Sequence, residues 1–143
     1  MDLYPPGSMT STHTGNPICC AAALASLDAL ENENLIENAA CLGALMMQAL
    51  MPLKEHFAPH IGAIQGTGLV AAIQFTQPGT TEPNPDLAFE VTRQCINKGL
   101  LLFAPVGVGG CAIKLNPPLC ITEDALLEGI GVIAEVLSQV IRV

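Results

Sequence analysis

Ile61–Phe75 reads IGAIQGTGLVAAIQF, two short apolar runs on either side of Gly66-Thr67-Gly68. In the second run Leu69, Ala71, Ile73 and Phe75 alternate with Val70, Ala72 and Gln74, the period of a half-buried strand. Ile61–Gln65 and Leu69–Phe75 are therefore predicted strands that meet at a glycine turn. Upstream the period changes. Leu35, Ala39, Leu42, Met46, Ala49 and Leu50 form one helical stripe, which predicts a helix from Leu35 to Met51 that Pro52 ends or kinks. Before it, Asn16-Pro17 supplies a capping side chain and then a proline at the first helical position. The segment PICCAAALASLDALE (17–31) is apolar over most of its circumference until Asp28, so a helix packed on several sides is expected there. Residues 1–16 read as irregular.

Downstream, QPGTTEPNP (77–85) is a loop. Asp86–Lys98 is a predicted helix with Leu87, Val91 and Cys95 on one face and Gly99 as its stop. Leu100–Pro105 and Cys111–Asn116 read as strands joined by the turn GVGG (107–110), and Pro117-Pro118 closes that unit. Thr122, followed by Glu123 and Asp124, caps a last helix with Leu126, Ile130, Ile133, Leu137 and Ile141 as its stripe. The order α-α-β-β-α-β-β-α predicts an α+β fold: a mostly antiparallel sheet of three or four strands with helices on one face.

The chain has 143 residues, the size of one domain or of a piece of something larger. Half of the residues are apolar and 13% are charged, enough for a core and too few charges for a disordered polyelectrolyte. Five Lys+Arg against thirteen Asp+Glu give a net charge of −8 with no basic run, which excludes the electrostatic footprint of a nucleic-acid binder. Polar residues interrupt the apolar stretches before the ~20 residues needed to cross a bilayer, and MDLYPPGSMT at the start has no signal-peptide pattern. No membrane role is expected, and a cytoplasmic protein is.

Six cysteines (Cys19, Cys20, Cys41, Cys95, Cys111 and Cys120) form no CxxC and no Cys–His pair at ligand spacing. Each stands among aliphatic residues, so reduced, buried structural thiols are expected. His56 and His60 are four apart, but Pro59 between them argues against one helical face, and no metal site is expected. STHTGN (11–16) sets hydroxyls and backbone N–H groups before a helix N-terminus, either a site for an anion or an ordinary Ser/Thr-rich start to the helix. Lys114 is a lone cation in the apolar run AIKL, either a snorkelling edge residue or one positive charge placed in a pocket.

Thr12-His13-Thr14-Gly15-Asn16-Pro17, with the Ala-rich run at 21–25 behind it, resembles the T-(H/Y)-x-G-N-P motif of the class III aminotransferases. These are the pyridoxal-phosphate enzymes of the 4-aminobutyrate and ornithine aminotransferase group. Further motifs agree in order: Leu42-Gly43, Gly66-Thr67-Gly68-Leu69, Lys98-Gly99-Leu100, and Lys114-Leu115-Asn116-Pro117-Pro118-Leu119 followed by Ile121-Thr122-Glu123. The last resembles R-[IL]-x-P-P-L-x-I-T-E. The resemblance runs over essentially the whole chain.

It implies the C-terminal third of such an enzyme, the small C-terminal domain of a fold-type I pyridoxal-phosphate protein. Residues 1–16 would be a remnant of the cofactor-binding large domain, 17–33 a linking helix and 34–143 the small domain. Thr12 matches the threonine that binds the cofactor phosphate of the neighbouring subunit in a homodimer, and Ser11 beside it is a second candidate. Lys114 matches the position where many members carry an arginine that grips a substrate carboxylate. Lysine offers a point charge in place of a planar fork, which loses the bidentate clamp. The family's Schiff-base lysine lies upstream of the threonine motif, so Lys54, Lys98 and Lys114 do not occupy it and no catalytic residue is expected in this chain. The implied partners are an amine or amino acid and a keto acid. A decarboxylase or aminomutase of the same fold, or a non-catalytic α+β dimerisation or binding module, would carry the same small-domain motifs.

Overall fold

The computed structural model describes Ser8, Thr12 and residues 15–141, and divides the chain into two compact units, Met1–Leu35 and Ile36–Val143. The first contains helix α1, Pro17–Asn32. The Asn16 side chain accepts a hydrogen bond from the Ile18 N–H at 2.9 Å, and Pro17 fills the first turn, where no N–H is needed. No α1 side chain is buried, so the expected packing on several sides is absent from this unit. Its described residues offer α1 no second apolar element to pack against.

In the second unit follow α2 (Leu35–His56), β1 (Ile61–Thr67), β2 (Val70–Phe75), α3 (Pro85–Asn97), a 3₁₀ turn at Val108–Gly110, β3 (Ala112–Leu115) and α4 (Glu123–Val140). The sheet is antiparallel in the order β1-β2-β3. Ile64, Ile73 and Ile113 are paired across it and face inward, with Ala71, Phe75 and Leu115 on the same side. They share one core with Leu42, Met46 and Leu50 of α2, Val91 and Cys95 of α3, and Ile130, Ile133 and Leu137 of α4. The helices thus bury one face of the sheet. The row Gln65–Ala72–Lys114 lies on the other face.

Pro52 does not end α2, which runs on to His56. A proline inside a helix costs about 3 kcal/mol. The last turn offsets this by burying Phe57 and half-burying Leu53, at about 1.5–3 kcal/mol for a fully buried side chain. Uninterrupted, α2 is long and apolar enough to cross a membrane by length and composition, contrary to the reading of its polar breaks. Here its stripe is spent on the core of the unit, and Gly43 brings its backbone against Gly68 in the β1–β2 turn.

Leu100–Pro105 is not a strand. Only Val106 pairs with β3, through two hydrogen bonds to Ala112 of 2.8 and 3.0 Å. Gly99, at φ +90°, turns the chain as α3 ends, and the Leu100 N–H returns to the Cys95 carbonyl at 2.9 Å. That anchor holds Leu100 and Leu102 against the helices, so their alternation with exposed Leu101 and Phe103 reflects packing without a ladder. The cysteines also depart from expectation. Cys95 and Cys111 are buried, whereas Cys19, Cys20, Cys41 and Cys120 are exposed. Cys41 precedes the inward Leu42 by one residue, about 100° round the helix, which turns it outward.

Candidate functional site

Where Leu100–Phe103 diverges from β3, a cleft of about 220 Å³ opens. Segment 114–118 forms its second wall, and Leu126, Gly129 and Ile130 of α4 form its third. The local sequence dictates this shape. Pro117 and Pro118 have no N–H to continue a ladder, so β3 stops at Leu115. The chain then turns into α4, where the Thr122 hydroxyl accepts from the Ala125 N–H at 3.3 Å. The intervening loop is held by Asn38 of α2, whose Nδ2 donates to the carbonyls of Leu119 (2.6 Å) and Ile121 (3.3 Å). Asn38 is not singled out by the sequence; its only signal is an amide beside Glu37 in the first turns of α2.

Lys114 lines the cleft and is its only charged residue. Its side chain makes no ion pair among the described residues, where the two salt bridges are Arg93–Glu90 at 2.7 Å and Lys98–Glu135 at 2.8 Å. Lys98 holds the Glu135 carboxyl below its usual range by that hydrogen bond and by its charge. Asn116 is the second polar residue at the cleft. Lys114 is an exposed residue of the edge strand β3, on the face away from the helices, and its strand borders the cleft.

Thr12 stands exposed in a turn of the first unit, whereas Lys114 belongs to the second. Ser11 lies outside the described residues. A Schiff-base cofactor such as pyridoxal phosphate needs a cavity lysine with a carboxylate aimed at the pyridine nitrogen. Lys98 is spent on Glu135, Lys54 closes the last turn of α2, and Lys114 has no carboxylate beside it in the cleft. These residues by themselves do not fit the group.

The family model Aminotransferase class-III matches residues 1–137. The 4-aminobutyrate aminotransferase of Mycobacterium leprae is 34% identical over 128 residues, which cover 90% of this chain and 28% of that protein. The crystal structure of acetylornithine aminotransferase from Elizabethkingia anophelis superposes with a TM-score of 0.80 at 35% identity, over 97% of this chain and 33% of that one. An amine transaminase from an uncultivated Pseudomonas species, solved in a PLP-bound form, gives 0.81 at 31% identity over 93% and 30%. The chain therefore spans about a third of the length of the relatives it matches. A model match over nearly every residue, with the same α+β fold, places the chain in the class III aminotransferase family.

Proposed function

We propose that this chain is the C-terminal, small-domain portion of a pyridoxal-phosphate-dependent class III aminotransferase, which passes an amino group between an amine or amino acid and a keto acid. The observation that carries this reading is the family match over residues 1–137 together with a fold shared over 97% of the chain. In the assembled homodimer, Thr12 donates its hydroxyl to the cofactor phosphate of the neighbouring subunit, with Ser11 beside it. Residues 17–33 link the two domains. Lys114 meets the carboxylate of the substrate. The cofactor supplies the electron sink, and this chain supplies phosphate and carboxylate contacts. Its six free cysteines suit the reducing cytoplasm.

A chimera tests the proposal. This chain replaces the matching third of the Elizabethkingia anophelis acetylornithine aminotransferase, and cofactor binding and transamination are measured. The expected product is a folded homodimer that binds pyridoxal phosphate and transfers amino groups. In it Thr12→Ala weakens cofactor binding by about 1–3 kcal/mol, the worth of a hydrogen bond to a charged group. A folded chimera that transfers no amino group refutes the reading.

A further inference from the structure

At the end of the sheet where β1 begins, the turn after α2 and the loop after β2 enclose an open-sided cavity of about 480 Å³. A bulge shapes it. Ile61 pairs with Phe75 and Ala63 with Gln74, which leaves Gly62 as the extra residue of β1. A Cβ on Gly62 would stand 2.7 Å from the Thr76 Cγ2, so a side chain there would close onto Thr76. The loop is pinned to the turn by two hydrogen bonds. The Gly79 N–H donates to the Pro59 carbonyl at 3.0 Å, and the Thr76 N–H donates to the His60 carbonyl at 2.9 Å.

The polar groups of this cavity are largely unspent. Thr76 is 7% exposed, and its hydroxyl makes no hydrogen bond among the described residues. Every fully buried side-chain nitrogen or oxygen among them has a partner, so the Thr76 oxygen is one that the cavity reaches. An unpartnered hydroxyl at such burial is costly unless a molecule in the cavity meets it. The Thr80 hydroxyl is already engaged: it donates to the Gln77 carbonyl and accepts from the Glu82 N–H, both at 3.1 Å. Lys54, in the last turn of α2, is the only charged residue at the cavity, and neither salt bridge among the described residues involves it. Because β1 is an edge strand, no further strand separates Lys54 on the helix side from Gln74 and Thr76 on the outward face, and one cavity takes in both.

We infer that this cavity binds a phosphorylated sugar or polyol, its phosphate at Lys54 and its hydroxyls at Gln74 and Thr76. The lining selects this class. One cation without a carboxylate beside it favours an anion, and hydroxyl and amide groups that both donate and accept match sugar hydroxyls. Ala58 and Pro59 offer an apolar wall to the C–H face of the sugar. Among the described residues no aromatic ring lines the space to stack a base, which disfavours a nucleotide. At roughly 30 Å³ per non-hydrogen group the cavity takes about sixteen groups, the size of a hexose phosphate and far more than inorganic phosphate fills.

The test titrates the full 143-residue chain with glucose 6-phosphate and follows backbone amide shifts. Saturable shifts are expected at 60–63 and 74–81, with 100–103 and 114–116 unmoved. Inorganic phosphate and glucose, each carrying half of the recognition, bind at least tenfold more weakly. Gluconate, with one negative charge in place of nearly two, also binds more weakly. Lys54→Gln, at a half-exposed position, weakens glucose 6-phosphate at least fivefold and leaves glucose unchanged. Thr76→Val keeps the side-chain shape, and it weakens glucose 6-phosphate without altering inorganic phosphate. Absence of saturable shifts at 60–63 and 74–81 in the wild-type chain overturns the site. Inorganic phosphate or gluconate binding as tightly as the ester overturns the ligand class, as does ester binding that survives Lys54→Gln. Binding here needs neither pyridoxal phosphate nor the rest of the enzyme, so the chimera and this titration succeed or fail independently.

Discussion

Replacing Gly43 by alanine tests how tightly α2 sits on the β1–β2 turn. The added Cβ would lie 2.3 Å from the Gly68 carbonyl oxygen, 2.4 Å from its carbon and 2.5 Å from its Cα. All three are backbone atoms, so no side chain can swing aside. Ordinary contact begins at about 3.5 Å, and the helix and the turn must therefore separate by about 1 Å. Gly68 sits at φ +50° with its own Cα side facing the Ala39 carbonyl, which limits how far the turn can yield. Separation also lifts Leu42, Met46 and Leu50 from the sheet. Overpacking of this kind costs about 1–3 kcal/mol, with void formation added. The better helix propensity of alanine returns about 1 kcal/mol. A net loss of about 2–3 kcal/mol is expected, read as a lower urea midpoint at an unchanged m-value. Gly131→Ala in α4 is the control, because nothing lies within 4 Å of its Cβ, and it should stabilise by about 0.5–1 kcal/mol. A Gly43→Ala protein as stable as the wild type would refute the packing described here.

The thiols should divide by burial. A disulfide-exchange reagent at pH 8 should label Cys19, Cys20, Cys41 and Cys120 quickly, and Cys95, pushed up to about 11 by burial, only on unfolding. Rapid native labelling of Cys95 would contradict its place in the core. Hydrogen bonds from Arg93 and Gln94 hold the Glu90 carboxyl down to about 2. Because its folded pKa is depressed, its contribution is present above the ordinary carboxylate range and fades as pH falls through that range toward about 2. In an NMR titration Arg93→Gln should return Glu90 toward the ordinary range, whereas an unmoved midpoint would place the cause elsewhere. Incubation with pyridoxal phosphate and borohydride should give this chain no stoichiometric adduct at one lysine, since among the described residues Lys98 is paired with Glu135 and neither the cavity at Lys54 nor the cleft at Lys114 is lined by a carboxylate. Mass-spectrometric mapping of a single fully labelled lysine would be the contrary result.

Local chemistry made much of each unit legible beforehand. Asn16-Pro17, Gly99 and Thr122 punctuate helices through bonds that a few neighbouring residues can satisfy, and the alternation of Leu69–Phe75 names its buried face from period alone. Family membership was legible too, because Thr12, Gly66-Thr67-Gly68 and Lys114–Pro118 keep their order along the chain. Other features depended on neighbours distant in sequence. Helix α2 passes Pro52 because Leu53 and Phe57 find the core beyond it, and Leu100–Pro105 stays off the ladder while Leu100 and Leu102 pack against that core. Cys41 and Leu42 are adjacent apolar residues whose burial differs only by the face of the helix that meets the sheet. The cleft belongs to this second group. Its cation could be named from the run AIKL, but its walls come from residues up to 87 positions from Met46, and its rim is held by Asn38 across 81. Periodicity and capping act within a few residues, whereas a cavity exists only where separate segments fail to meet, and only the packed chain decides where that happens.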